Sequence, residues 1–182
     1  MQVLITAEKI QQRIEELAAQ INRDYGLEPV TFLGILSGSF IFMADLLRKM
    51  TPPTKIGFLR ASSYRGETTT PGQLVIQAEL MPEIRDRHVM LLDDILDSGR
   101  TLSAVVDYLN SRQPRSLRVA VLLRKRGRQE VPFEPDYCGF EIPDRFVVGY
   151  GLDYNDDYRQ LPYLGVMPGD EPSDPSVNVS TC

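Results

Sequence analysis

Residues 89–102 read Val-Met-Leu-Leu-Asp-Asp-Ile-Leu-Asp-Ser-Gly-Arg-Thr-Leu. The apolar beginning of this stretch predicts a buried strand over Val89–Leu92, and the strand leads into two adjacent carboxylates, Asp93 and Asp94. A short loop with a third carboxylate, a Ser-Gly pair and a threonine comes next, before an amphipathic helix predicted over Thr101–Ser111. The stretch therefore predicts a strand, a loop and a helix, with an acidic cluster at the turn.

This combination of residue types favours a sugar phosphate as ligand. Glycine lets backbone N–H groups approach a ligand closely, and a helix N-terminus presents unpaired donors at the positive end of its dipole. The carboxylates would bind hydroxyls or a metal ion, and the amides would bind the phosphate. An ordinary strand-to-helix turn with Asp97 or Ser98 as N-cap is the alternative, but a cap accounts for only one of the polar residues.

Length and composition narrow the class of protein. A chain of 182 residues is long enough to form one domain with a sizeable hydrophobic core. A content of 42% hydrophobic and 25% charged residues is typical of a soluble globular protein. The formal net charge of −5 disfavours a protein built chiefly to bind nucleic acid, which usually carries a basic surface.

Neither membrane insertion nor secretion is expected. The N-terminus has no signal-peptide pattern, and the apolar stretch 33–47 is too short and too interrupted to span a bilayer. The two cysteines, Cys138 and Cys182, predict neither a disulfide framework nor a metal site. We therefore expect a cytoplasmic protein.

Strands and helices alternate along the chain. Besides the elements around residues 89–111, helices are predicted over Thr6–Ile21 and Phe40–Met50, and strands over Val30–Leu36, Lys55–Ser63, Leu74–Leu80, Leu117–Leu123, Phe146–Tyr150 and Tyr163–Met167. This order predicts an α/β fold with a mostly parallel sheet flanked by helices, in which ligands bind beyond the carboxyl ends of the strands. Residues 1–167 are predicted to form this domain. Residues 168–182, with three prolines and three acids, are predicted to form a disordered tail.

The acidic stretch also carries a family resemblance. Residues 93–101, Asp-Asp-Ile-Leu-Asp-Ser-Gly-Arg-Thr, match the 5-phosphoribosyl 1-diphosphate signature of the type I phosphoribosyltransferases. From about Ile5 to Met167 the chain resembles the hypoxanthine-guanine branch of that family. Three further stretches carry this resemblance: Gly34–Ser39 (GILSGS), Ser62–Tyr64 (SSY) and 122–159, which contains FVVGYGLDY at 146–154.

The resemblance implies a type I phosphoribosyltransferase fold with a small hood region. It implies a purine-salvage enzyme that uses Mg²⁺ and moves the 5-phosphoribosyl group from the diphosphate donor to N9 of hypoxanthine, guanine or both. The products would be IMP or GMP and pyrophosphate. It also implies a homodimer or homotetramer without a nucleic-acid or membrane partner.

Roles in donor binding follow from the same resemblance. It implies that Asp93 and Asp94 hold the ribose hydroxyls, directly or through Mg²⁺, as suits oxygen ligands. Asp97 is implied to accept or orient the proton of the purine imidazole ring. The loop implied to bind the 5′-phosphate comprises Asp97, Ser98, Gly99, Arg100 and Thr101, with Arg100 directed towards solvent.

Roles in purine binding are implied for four residues. Lys125 would donate to the purine 6-oxo group, Phe146 would stack on the base, and Val147 would offer backbone groups to the base edge. Asp153 would lie near the base and a second metal ion. The basic residues next to Lys125 are expected to be solvated: Arg124, Arg126 and Arg128.

Two further segments complete the implied site. Leu36, Ser37 and Gly38 would form a pyrophosphate loop with a cis peptide bond between the first two, and Arg159 would contact pyrophosphate. Ser37 departs from the many relatives that carry a basic residue here. Ser63 and Tyr64 would begin a lid loop that protects the reacting centre from water.

Other functions remain open at this point. A related enzyme for xanthine or adenine would share the donor signature. A nucleotide-sensing regulator that binds RNA on the same fold would need a basic face, which the net charge of −5 disfavours. A receiver domain with a phospho-acceptor aspartate fits the Asp-Ser-Gly-Arg-Thr loop badly. Sequence does not rank hypoxanthine against guanine.

Overall fold

The computed structural model describes residues 1–63, 74–167 and 179–182. The helices in these ranges are α1 (Ala7–Tyr25), α2 (Phe40–Leu47) and α3 (Arg100–Asn110). The strands are β1 (Gln2–Ile5), β2 (Val30–Leu36), β3 (Thr54–Ser63), β4 (Leu74–Gln77), β5 (His88–Leu96), β6 (Ser116–Lys125), β7 (Tyr137–Ile142), β8 (Val147–Val148), β9 (Leu164–Val166) and β10 (Ser180–Thr181).

The larger sheet has the strand order β10-β7-β6-β5-β2-β3-β4. The five inner strands, β7 to β3 in that order, pair in parallel, and only β4 and β10 at the edges pair antiparallel. Strand β5, which carries the acidic stretch, lies in the middle of this sheet. The predicted α/β fold with a mostly parallel sheet is confirmed.

Side-chain alternation along β5 builds a core on each face of the sheet. Met90 and Leu92 point to one face and belong to the core that includes residues of α1 and α2. Val89 and Leu91 point to the other face and pack in the core that includes residues of α3. All four are fully buried, as expected for a central strand covered on both faces.

Helix α1 confirms the helix predicted at the start of the chain. The backbone N–H of Lys9 donates to Oγ1 of Thr6 at 3.4 Å, so Thr6 is the predicted N-cap. The apolar stripe of this helix is buried: Ile10, Ile14, Leu17, Ala18 and Ile21.

A second, three-stranded sheet has the order β1-β9-β8 and is antiparallel. The strands predicted over Phe146–Tyr150 and Tyr163–Met167 are therefore confirmed, although both are shorter than predicted. They belong to this small sheet and not to the main sheet. This small sheet corresponds to the implied hood. Strand β1 was not predicted. It pairs with β9 in the small sheet, and the chain continues from it into α1.

The C-terminal residues differ from their sequence-based expectation. Residues 168–178 of the predicted tail lie outside the described residues. The last four are ordered, because Ser180–Thr181 pairs with Glu141 and Phe140 of β7, which was itself not predicted. A disulfide joins Cys138 to Cys182, so the expectation that the two cysteines do not pair is corrected. No helix in the described part of the chain is long and apolar enough to cross a membrane.

A partly buried hydrogen bond ties the hood to the main domain. The hydroxyl of Tyr150 donates to Oδ2 of Asp45 on α2 at 2.6 Å, and Nε2 of Gln11 on α1 donates to the same oxygen at 2.8 Å. Tyr150 is 3% exposed and the Asp45 side chain 14% exposed, so removing the hydroxyl leaves a largely buried carboxylate oxygen with one donor fewer.

We expect Tyr150→Phe to lower the free energy of unfolding by about 1–3 kcal/mol, measured by chemical denaturation. Tyr108→Phe is the matched control, because the Tyr108 hydroxyl accepts only a surface bond from Arg112 at 2.7 Å. Equal, small losses in both variants would show that the Tyr150 bond does not hold the hood.

Candidate active site

A cavity of about 350 Å³ opens at the carboxyl edge of the main sheet. Three segments from separate parts of the chain meet there: the loop after β2, the end of β5 with the start of α3, and the segment after β8. The predicted site residues that line it are Leu36, Ser37, Gly38, Asp93, Asp94, Asp97, Ser98, Gly99, Thr101, Asp153 and Arg159. The cavity lies where a parallel α/β sheet binds its ligands.

The acidic pair belongs to β5 rather than to a loop after it, since the strand continues to Leu96. Asp93 is only 8% exposed and accepts a bond from the backbone N–H of Asp94 at 3.1 Å. Burial, and then the charge of Asp94, raise the pKa of Asp93 well above its usual range. Burial also raises the pKa of Asp94, although Arg159 acts in the opposite direction. Two neighbouring carboxylates in this setting favour cationic or hydroxyl-bearing partners.

The raised pKa of Asp93 leads to a stability prediction. A carboxyl group whose pKa is raised on folding stabilises the folded state below its unfolded pKa, and loses that contribution as the pH rises through the folded value. The ordinary value is 3.8. We expect Asp93→Asn to raise the Tm of the ligand-free protein more at about pH 8 than at about pH 4, because the amide never acquires the buried charge. Thermal denaturation at both pH values checks this, and an equal change at both would contradict it.

The loop that is implied to bind the 5′-phosphate is shaped by Gly99. Gly99 has a φ of +81°, directly precedes α3 and offers no side chain to cap it, while Oγ of Ser98 accepts from the backbone N–H of Arg100 at 3.4 Å. A Cβ atom at this position would lie 2.5 Å from the carbonyl oxygen of Val131, so only glycine fits. A second segment holds this loop in place, because the backbone N–H groups of Glu130 and Val131 donate to the carbonyl oxygen of Ser98 at 2.9 and 3.1 Å. The N-terminus of α3, with its remaining backbone N–H groups, is suited to an anion.

Arg100 does not join the others in the cavity. Its side chain is 70% exposed and pairs with Glu130 on the outside of the loop. Only the backbone of Arg100 can therefore take part in the phosphate loop. The expectation that its side chain is directed towards solvent is confirmed.

The loop after β2 lies directly against the acidic pair. The peptide bond between Leu36 and Ser37 is cis, which confirms the implied conformation. A Cβ atom at Gly38 would overlap the carboxylate of Asp94 and lie 2.5 Å from its Cγ atom. Ser39 donates its hydroxyl to the carbonyl oxygen of Ile35 at 2.6 Å and so closes the loop. Because Gly38 has no Cβ atom, the loop after β2 and the Asp94 carboxylate can lie directly against each other at the cavity.

Arg159 and Asp153 form an ion pair on the hood side of the cavity. Nη2 of Arg159 lies 2.8 Å from Oδ1 of Asp153, and Nη1 donates to the carbonyl oxygen of Gly151 at 2.8 Å. The other oxygen of Asp153 accepts from the backbone N–H of Asp156 at 2.8 Å. Both implied residues are thus held in fixed positions at the cavity wall.

Of the implied purine-binding residues, Lys125 lies next to Asp97. Nζ of Lys125, at the end of β6, is 3.4 Å from Oδ2 of Asp97. Phe146 is 45% exposed, so it is not the core residue that periodicity alone would predict, and its ring meets Tyr154 edge to face at 5.7 Å. Val147 is buried in β8. An exposed aromatic ring such as that of Phe146 is suited to stacking on a planar ring.

The basic neighbours of Lys125 are not simply solvated, and this expectation is corrected. Arg124 bonds Glu134 and Glu141 at 2.7 and 2.9 Å, and Arg126 bonds Glu141 at 2.6 Å. Nε of Arg128 lies 3.1 Å from Oδ1 of Asp97, so Arg128 belongs to the surroundings of the site. No spacing in the sequence indicated that contact, because a loop brings the arginine back to β5.

The implied lid is described only at its start. The backbone of Ser63 ends β3 and pairs with Leu74 of β4. Tyr64 lies outside the described residues.

Comparison with known proteins agrees with this site. The phosphoribosyl transferase domain family matches residues 4–155. A hypoxanthine-guanine phosphoribosyltransferase of Staphylococcus aureus is 42% identical over 166 residues, which is 91% of this chain and 93% of that protein. The chain therefore belongs to the phosphoribosyltransferase family.

Solved structures point to the same branch of the family. A crystal structure of a hypoxanthine-guanine phosphoribosyltransferase from Bacillus anthracis, with HEPES in its active site, superimposes with a TM-score of 0.86 at 38% identity, covering 92% of this chain and 98% of that one. The hypoxanthine phosphoribosyltransferase of Trypanosoma cruzi gives a TM-score of 0.86 at 37% identity, covering 93% and 96%. The implied type I phosphoribosyltransferase fold is confirmed.

Proposed function

We propose that the chain transfers the 5-phosphoribosyl group from 5-phosphoribosyl 1-diphosphate to N9 of hypoxanthine, guanine or both, as a purine-salvage enzyme. The observation that carries this proposal is the cavity in which Asp93, Asp94 and Asp97 meet the N-terminus of α3. The high similarity to relatives with these named substrates supports the choice of purine.

The chain's own residues would place the donor in this cavity. The backbone around Gly99 and the start of α3 would bind the 5′-phosphate, while Asp93 and Asp94 would accept from the ribose hydroxyls. The loop at Ser37 and the guanidinium of Arg159 would hold the pyrophosphate end. The sugar carbon that reacts would then lie between the two anion-binding segments.

The purine would enter on the side of Lys125 and Phe146. Phe146 would stack on the ring, and Lys125 would donate to the 6-oxo group. As N9 bonds to C1 of the ribose, the bond from C1 to pyrophosphate breaks and the purine proton passes to Asp97. Adenine would be disfavoured, because its 6-amino group would face the Lys125 donor.

The donor set fits Mg²⁺, which we propose as the cofactor. The described residues contain no group of three or more His, Cys, Asp or Glu arranged to hold a metal ion. Mg²⁺ is commonly held by one or two carboxylates together with substrate phosphates, and Asp93, Asp94 and Asp153 can supply those oxygens at the cavity. When bound with the donor, the ion would neutralise charge on the departing pyrophosphate.

An assay with purine bases and the Mg²⁺-bound donor tests the proposal. We expect nucleotide formation from hypoxanthine and guanine, and little from adenine or xanthine. Chelation of the divalent ion should abolish it. Xanthine as the preferred base would replace the proposed substrate, and no nucleotide from any purine would refute the function.

We also propose a homo-oligomer in the cytoplasm. One study of the Trypanosoma cruzi relative concerns the role of its C-terminal region in oligomeric state and activity. A cytoplasmic location is favoured because a polyanionic ribose donor does not cross a bilayer unaided.

A further inference from the structure

Four charged side chains form a closed ring beside the purine side of the cavity. Nζ of Lys125 lies 3.4 Å from Asp97 and 3.4 Å from Asp144. Nε of Arg128 lies 3.1 Å from Asp97 and 3.6 Å from Asp144. Each cation therefore contacts both carboxylates. We call these four residues the charge ring.

The charge ring joins four separate segments of the chain. Asp97 follows β5, Lys125 ends β6, Arg128 lies in the loop after β6, and Asp144 lies two residues before Phe146. It therefore connects the phosphate loop with the strand end that offers the 6-oxo donor and with the segment that carries the stacking aromatic.

Stability alone is a weak reason for this arrangement. The side chains of Asp97, Arg128 and Asp144 are 37%, 48% and 51% exposed, and exposed ion pairs contribute little to folding. The Lys125 side chain is only 12% exposed, so its ammonium is the part of the ring most withdrawn from water. Its position depends on the carboxylates that surround it.

Substrate binding would leave each cation of the charge ring with one carboxylate partner. Lys125 has a flexible stem and a compact charge, so it needs a partner to hold it at one point. Once a purine draws Asp97 towards its imidazole proton, Asp144 remains as the carboxylate next to Lys125. Arg128 remains next to Asp97 and can hold that carboxylate towards the base.

We propose that Asp144 and Arg128 are positioning residues of the purine site, with Asp144 holding the Lys125 ammonium and Arg128 holding the Asp97 carboxylate. This inference rests on the proposed function, because it assigns partners to the purine donor and to the proton acceptor. It adds two residues that never need to touch the substrate themselves.

Steady-state kinetics on the full chain with Mg²⁺, the donor and hypoxanthine tests the two roles separately. We expect Asp144→Asn to raise the KM for hypoxanthine about tenfold or more, and Asp144→Glu to recover part of the loss. We expect Arg128→Gln to lower kcat about tenfold or more, with partial recovery in Arg128→Lys. The KM for the donor should change little in all four variants, because none of the changed side chains lines the donor cavity.

Arg126→Gln is the matched control from the same loop. Arg126 bonds Glu141 and Ser180 instead of the ring, so its loss should leave kcat and both KM values near wild type. If Asp144→Asn and Arg128→Gln lower only the Tm, or behave like the control, the positioning roles are wrong. A wild-type chain inactive with every purine would refute the proposed function instead, and so the two failures are distinguishable.

Discussion

Replacing Asp97 with asparagine is expected to lower kcat about 100- to 10,000-fold, the range that a positioned proton acceptor contributes. The amide keeps the size of the side chain and can still accept a hydrogen bond, but it cannot take the purine proton. Asp97 lies at the cavity with Lys125 and Arg128 beside it, so the carboxylate is already oriented before a base arrives. Single-turnover and steady-state kinetics with hypoxanthine measure the effect.

The donor KM should change far less than kcat in this variant, because other groups grip the phosphate and the pyrophosphate. Asp107→Asn makes the same chemical change on the exposed face of α3 and should leave kcat unaltered. Near-normal turnover in Asp97→Asn would remove the proton-acceptor role. A loss confined to donor binding would leave Asp97 with a role in the phosphate loop alone.

Gly38→Ala is expected to weaken use of the donor about 100-fold in kcat/KM, the loss that a displacement of about 1 Å near a reacting centre can cause. The new methyl group would meet the Asp94 carboxylate, and either the loop after β2 or the carboxylate must shift. Both segments line the cavity, so either movement disturbs the ribose and pyrophosphate positions. Kinetics with varied donor concentration check the prediction.

Gly26→Ala separates this effect from a general cost of losing a glycine. Gly26 has a φ of +58° at the end of α1, and a Cβ atom there would meet nothing within 4 Å. We expect that variant to lose about 1–3 kcal/mol of stability, because an L-residue adopts a φ of +58° with a ψ of −116° only at a cost. Its kinetics should stay near wild type. An unchanged kcat/KM for the donor in Gly38→Ala would show that the contact with Asp94 does not shape the site.

Much of the fold could be predicted from local pattern. Helix α1 has a capping threonine and a stripe of apolar residues at helical spacing, and both features act within a few residues of each other. Strand β2 was predicted at its observed limits, Val30–Leu36, because a strand buried on both faces is continuously apolar. The short strands β1 and β7 escaped prediction, since pairing with other strands stabilises them more than their own residues do.

The sequence by itself determined the strand, loop and helix of residues 89–102 and the residue types that a phosphoribosyl donor needs, because these depend on neighbours along the chain. Only the tertiary structure decided that Arg128 and Asp144 reach Asp97 and Lys125, and that Cys182 joins Cys138. Such contacts join residues far apart in sequence, and their formation depends on how the sheet orders its strands and where each loop returns. No local periodicity records that geometry.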